Sequence, residues 1–273
     1  MKFNIFNRSK IIWLIILTTT ACTNLTLKQE STIVELQKDT QLTIQKVNSK
    51  IKANPESVLQ NSISALDSIL EYTATVKSDP SKFSSEKIQA YILKISIINE
   101  NMERFSDLTL QTDISFPLGT YKLSDLSKQG QSRIDELTNK IYLSTQEMAK
   151  KYPNKQIKIT IKTIGYTDET RIIAGSQLER EIIKKIQQPV KNSGKKRQQY
   201  NQILSKFRAS TLSQYVVQYL QQQLLNIEKL EIVTEIQGFG EKFPNKKSTE
   251  LPYENKDPRR RVCIISPFIE IIP

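Results

Sequence analysis

Ile157, Ile159 and Ile161 alternate with Lys158, Thr160 and Lys162. Apolar and polar residues in strict alternation belong to a strand with one face buried. This places a sheet in a chain whose other long stretches carry a helical period, so the fold has to combine the two. Glu231 to Gln237 and Arg261 to Ile265 are two further strands, and Ile114-Ser115-Phe116 is a short candidate. Leu123 to Lys150, with Leu126, Ile134, Leu137 and Ile141 as its apolar positions, is helical and ends at Pro153-Asn154. Leu204, Phe207, Leu212, Val216 and Leu220 mark another helix. The alternating order predicts an α+β unit with helices on one face of a sheet.

Residues 31–107 are expected to be helical throughout. Ile33, Leu36, Ile44, Val47 and Ile51 recur at loosely helical spacing. Asn54-Pro55-Glu56 supplies a cap, a proline suited to the first helical position and an acid at the positive end, and Leu59, Ile63, Leu66 and Leu70 follow on one face. A third helix starts at Asp79-Pro80 or at Ser85-Glu86, with Ile88, Ile92, Ile95, Met102 and Phe105 close to a seven-residue repeat. These stripes form either the core of a hairpin or small bundle, or an arm that pairs with a partner protein or self-associates.

The first residues predict export. Lys2, Arg8 and Lys10 precede a short apolar run, Ile11 to Leu17, far below the ~20 residues of a membrane-spanning helix. Small residues then lead to Cys22, and Thr19-Thr20-Ala21-Cys22 resembles the lipobox of bacterial lipoproteins. That resemblance implies removal of residues 1–21 and lipidation of Cys22, with residues 22–30 as a tether. Thr23 lacks the aspartate that retains such lipoproteins in the inner membrane, so the expected location is the outer membrane, facing the periplasm.

Composition narrows the chemistry. With no histidine, the commonest general base and zinc ligand are missing, as is every Ser-His-Asp arrangement. Seven glycines form neither G-x-x-x-x-G-K nor G-x-G-x-x-G. A binding protein is expected, without cofactor or metal, rather than an enzyme. A net charge of +12 suits nucleic acid, anionic lipid or an anionic polymer, and export disfavours nucleic acid. Cys263 is the second of two cysteines and is left without a partner if Cys22 is lipidated.

Four segments of the second half resemble one family in order. Ile114 to Ile134 (ISFPLGTYKLSDLSKQGQSRI) is similar to its opening strand and helix. Ile161 to Asp168 (IKTIGYTD) is similar to its G-H-T-D strand end, and Tyr200 to Ala209 (YNQILSKFRA) to its N-x-x-L-S-x-x-R-A helix start. Gly238 to Pro244 (GFGEKFP) and Arg259-Arg260-Arg261-Val262 are similar to its G-x-G-E-x-x-P and N-R-R-V segments. The family is the OmpA-like domain of the OmpA C-terminal region, the peptidoglycan-associated lipoprotein and flagellar stator proteins. The resemblance implies a mixed sheet over residues 108–273 and non-covalent binding of the diaminopimelate in peptidoglycan stem peptides. Asp168 would hold its ammonium and Arg208 its carboxylate. Asn201 would bond ligand and loop, and Arg260 and Arg261 would lie near the site. Read without the family, Asp168 is equally a helix cap or a partner of Arg208, Asn201 a cap, and Arg208 a solvated helix charge.

Three departures mark this chain. Tyr166 stands at the family's histidine and Arg259 at its asparagine, and the spacing from Asp168 to Arg208 is far longer than usual. The added length is a basic insertion at about 169–199, carrying Lys184, Lys185, Lys191, Lys195, Lys196 and Arg197, a capping box at Ser176-Gln177-Leu178-Glu179 and a loop at Asn192-Ser193-Gly194. It is either a surface excursion or a cover for the pocket. The expected role is a lipoprotein tethering outer membrane to cell wall, with peptidoglycan and membrane as partners. The alternative is an anchoring component of a secretion or motility complex that docks an envelope protein on its helical region.

Overall fold

The computed structural model describes residues 24–53, 55, 57–105, 116–244 and 252–272. The leader, Cys22, Asn54, Glu56, Ile114 and Ser115 lie outside the described residues. Among the described residues, six α-helices and three strands follow in the order α1 (Leu27–Ala53), α2 (Gln60–Ser78), α3 (Ser85–Phe105), α4 (Lys128–Lys151), β1 (Gln156–Gly165), α5 (Gln177–Ile183), α6 (Ser193–Gln223), β2 (Leu230–Gly238) and β3 (Cys263–Ile272). None of the described helices is long and apolar enough to cross a membrane. The sheet is mixed, with order β2-β1-β3, β1 being parallel to β2 and antiparallel to β3.

The alternation in β1 sorts its side chains. Ile157, Ile159 and Ile161 are buried against α4 and α6, whose Ile134, Leu137, Ile141, Met148, Leu212, Val216 and Leu220 complete the main core. Each such side chain, fully buried, contributes about 1.5–3 kcal/mol. Lys158 and Thr160 share the other face with Val233, Phe268 and Glu270, across a cavity of about 180 Å³ from α2 and α3.

The N-terminal helices form a bundle rather than a free arm. Ile33, Leu36, Val47, Leu66, Ile69, Val76, Ile88, Ile98 and Met102 make a second core, and partly buried Phe268 of β3 packs against it. Ile97 and Phe105 of the same α3 belong to the main core. The 107/108 division read from the sequence therefore follows a helix that serves both cores.

Several local expectations are corrected. Helix α1 begins inside the stretch expected to be a tether, because Thr26 and Gln29 form a capping box: the Thr26 N–H donates to Gln29 Oε1 at 2.8 Å and the Gln29 N–H to Thr26 Oγ1 at 3.3 Å. Helix α2 begins at Gln60 instead of at Pro55, after a turn in which Ser57 Oγ accepts from the Leu59 N–H. Asp79 caps only a 3-10 turn, and the third helix starts at Ser85. Ile92 is 51% exposed and Ile97 and Ile98 replace it on the buried face. Asn192 is the cap of α6 rather than part of a loop, accepting from the N–H groups of Gly194 and Lys195. Phe116 is buried outside any strand.

Candidate functional site

Two glycines let α6 cross the strand ends. Gly165 of β1 and Gly238 of β2 are register partners. A Cβ on Gly165 would stand 2.0 Å from the Ser205 carbonyl oxygen, and one on Gly238 would stand 2.6 Å from that of Gln202. Without side chains there, the Asn201–Arg208 turns of α6 sit directly over the sheet end. Ser205 Oγ accepts the Gly240 N–H at 2.9 Å, the Thr167 N–H donates to Gly240 O, the Tyr166 N–H to Val262 O, and the Phe116 N–H to Arg261 O. The four motif segments thus meet at the C-terminal end of β1.

Asp168 is buried, and its partner is Arg261 rather than Arg208. Arg261 Nε and Nη2 donate to Asp168 Oδ2 at 3.0 and 2.8 Å, and Thr170 Oγ1 donates to the same oxygen at 2.7 Å. Oδ1 receives a long 3.4 Å bond from the Thr170 N–H. Asn201 is buried and holds the loop by its amide, donating to the carbonyls of Asp168 and Thr170 and to Glu241 Oε1. It sits two turns inside α6, so it is a loop clamp and not a helix cap.

Arg208 is 1% exposed, so it is no solvated helix charge. Its guanidinium donates to the carbonyls of Thr120, Tyr166 and Pro117 at 2.9, 3.3 and 3.2 Å and stacks 5.3 Å from the Phe116 ring. No carboxylate lies within ion-pair distance of it among the described residues. Burial lowers its pKa to about 10, with Asp168 and Cys263 opposing the shift. Burial also pushes the free Cys263 thiol up to about 12.

Arg260 is fully buried and ties two loops together. It donates to the carbonyls of Glu254, Asn255 and Glu241, reaches Glu169 at 3.5 Å and lies 4.1 Å over the Phe243 ring. Arg259 pairs with Asp257 beside it. Tyr166, at the position of the family's histidine, is buried edge-on against Phe239 and meets Arg208 with its carbonyl rather than presenting an exposed polar tip.

The insertion flanks the site. Leu178 and Ile182 of α5 pack with Tyr200 and Leu204 of α6. Tyr121 donates to Glu181, which raises its own pKa to about 12 and fixes the turn whose carbonyls hold Arg208. Arg197 bridges Glu241 at 2.8 Å and Glu169 at 3.4 Å. Lys184, Lys185, Lys191 and Lys195 are exposed. Sequence reasoning missed Thr170, Glu169, Glu241 and Arg197 as members of this network. Glu241 was within reach as the acid of G-x-G-E, whereas no local signal distinguishes Arg197 from its basic neighbours.

No family model and no curated protein matches the chain. Parts of it are similar to solved structures, two of which follow. The OmpA-like domain of FopA1 from Francisella tularensis subsp. tularensis SCHU S4 is 20% identical, with 59% of this chain and 73% of that one covered, at a TM-score of 0.29. A putative MotB like protein from Desulfovibrio vulgaris is 17% identical, with 65% and 93% covered, at a TM-score of 0.26.

Proposed function

We propose that this chain is a cell-envelope lipoprotein, lipidated at Cys22, that binds peptidoglycan non-covalently and tethers the outer membrane to the cell wall. The observation that carries the proposal is Arg208, a buried guanidinium held by three carbonyls with no acid bonded to it. A buried cation lacking an acid is costly and favours a ligand that brings a negative charge. Stem peptides of peptidoglycan carry carboxylates, and a planar guanidinium binds a carboxylate through paired N–H donors. The ordered OmpA-like motifs around Arg208 support the same ligand. Binding is reversible clamping without bond making.

The test is co-sedimentation of the full-length chain with insoluble peptidoglycan, beside Asp168→Ala and Arg208→Ala, each checked for folding by circular dichroism. Wild type is expected in the pellet and folded Arg208→Ala in the supernatant. Wild type left in the supernatant overturns the proposal. Palmitate labelling of wild type but not of Cys22→Ala tests the anchor separately.

A second reading, an anchoring component of an envelope complex, draws on α1. Its outward side leaves Leu27, Val34 and Leu42 exposed, opposite the buried Ile33, Leu36 and Val47. In that case Val34→Asp with Leu42→Asp abolishes capture of an envelope partner without changing sedimentation on the wall.

A further inference from the structure

Among the described residues at the strand end, the buried carboxylates and guanidiniums do not pair off evenly. Asp168 is neutralised by Arg261, whose two nitrogens meet one carboxylate oxygen. Glu241 is met by Arg197, and Glu169 by Arg197 and Arg260. Of Arg197, Arg208, Arg260 and Arg261, Arg208 alone has no carboxylate within ion-pair distance among the described residues, and its partners are carbonyl dipoles. Three of its five N–H donors are used, which leaves two for a ligand. The side chains of Asp168 and Arg261 are only 5% and 15% exposed, so an incoming ammonium that displaced Arg261 would strand a guanidinium with little water to solvate it.

We infer that the site recognises a stem-peptide carboxylate and does not require the neighbouring amine, so that it accepts diaminopimelate whose side-chain amine is acylated in a cross-link. The inference rests on the peptidoglycan-binding reading. A free ammonium would gain little from Asp168, already neutralised, and would sit near the charges of Arg208 and Arg261. An amide N–H brings no charge, and Asp168 Oδ1, held only by the 3.4 Å bond from Thr170, can accept it. Arg261 is accordingly the residue that sets this preference: it takes the place at Asp168 that a ligand cation would otherwise fill.

The experiment sediments the full-length chain with three samples of one insoluble peptidoglycan: untreated, amine-acetylated with acetic anhydride, and carboxyl-amidated with methylamine and a carbodiimide. Binding to the acetylated wall is expected within about twofold of untreated, and binding to the amidated wall is expected to fall at least about tenfold, because the charge-assisted partner of Arg208 is gone. Loss on acetylation, or persistence on the amidated wall, overturns the inference while leaving wall binding itself intact. Failure on the untreated wall removes the underlying reading, and the inference with it. Arg261→Gln supplies an independent check, because it frees Asp168 and is expected to make binding sensitive to acetylation. If that variant is as indifferent to acetylation as wild type, Arg261 does not set the preference.

Discussion

Asn101 of α3 closes the outer edge of β3 at Ile269. Its Oδ1 accepts the Ile269 N–H at 2.8 Å, and its Nδ2 donates to the Ile269 carbonyl at 2.7 Å and to Ile97 O at 2.8 Å. One amide thus mimics the strand that would otherwise be needed on this side, at a position where Asn101 is 2% exposed. Edge strands invite pairing with other chains, and covering them with a helix is one of the ways proteins prevent it.

Asn101→Leu keeps the branched four-atom side chain, somewhat enlarged, and removes both contacts with Ile269. Two buried backbone groups lose their partners, at about 1–3 kcal/mol each. Urea denaturation is expected to show a loss of about 2–6 kcal/mol. Asn101→Asp keeps the acceptor but sets a carboxylate oxygen against the Ile97 and Ile269 carbonyls in a buried site, so it should be no more stable than leucine. A leucine variant within about 0.5 kcal/mol of wild type, the range of ordinary surface changes, would show that Ile269 finds other partners.

Gly165→Ala tests the crossing of α6. The added methyl has backbone in its way, 2.0 Å from Ser205 O and 2.9 Å from its carbonyl carbon, so the helix has to move. The destabilisation is expected at or above the about 1–3 kcal/mol typical of overpacking. Because Ser205 lies between Asn201 and Arg208, wall binding should also fall in fractions that remain folded. Gly175→Ala is a useful contrast: its Cβ meets nothing within 4 Å and its strain comes only from a φ of +77°.

What could be read from the sequence follows from the range of each interaction. The alternation of Ile157 to Lys162 gave the strand and its buried face, while the box expected at Ser176 is half formed: Ser176 Oγ accepts from the Glu179 N–H at 3.1 Å, but the Glu179 carboxylate accepts from the Gly175 N–H and the Ser176 N–H goes to Ile173 O. The spacing of apolar residues in α3 gave a helix. It did not reveal that Ile97 and Phe105 turn to one core and Ile98 and Met102 to another, since a period reports a face and not its neighbour. The gathering of Asp168, Asn201, Arg208 and Arg261 came from motif order. The pairing of Asp168 with Arg261, 93 positions apart, has no local signature. Spacing and charge alone offered Arg208 as a partner with equal force.

Cys263 makes an alkaline contribution to stability with a definite sign. Burial raises the folded-state pKa from 9.0 to about 12, while the unfolded thiol titrates near its ordinary value. Below pH 9 the thiol is protonated in both states and its contribution is fully present. Between about 9 and 12 the unfolded state sheds its proton first, so stability falls with pH by up to about 1.4 kcal/mol per unit. Arg208 acts oppositely, but only above its folded value of about 10. The comparison therefore belongs between pH 9 and 10, where Cys263→Ala should show a shallower decline than wild type. In a Cys22→Ala background, whose remaining thiol is Cys263, native protein should also resist a thiol reagent at pH 8 and react once unfolded. Rapid native labelling would contradict this burial.

Arg208→Lys separates charge from geometry. Lysine keeps the cation but offers one ammonium in place of a plane of five donors, and the carbonyls of Pro117, Thr120 and Tyr166 surround that plane on several sides. The ammonium cannot meet three carbonyls and still present two parallel N–H groups to a carboxylate. Stability is expected to drop by about 1–3 kcal/mol for the unsatisfied carbonyls. Wall binding is expected to fall at least about tenfold at temperatures where the variant stays folded, since the bidentate contact is lost. Arg208→Met, which removes the charge, should bind no better than Arg208→Lys. If lysine sustains wild-type binding, the positive charge alone is sufficient and the three-carbonyl seat serves only the fold.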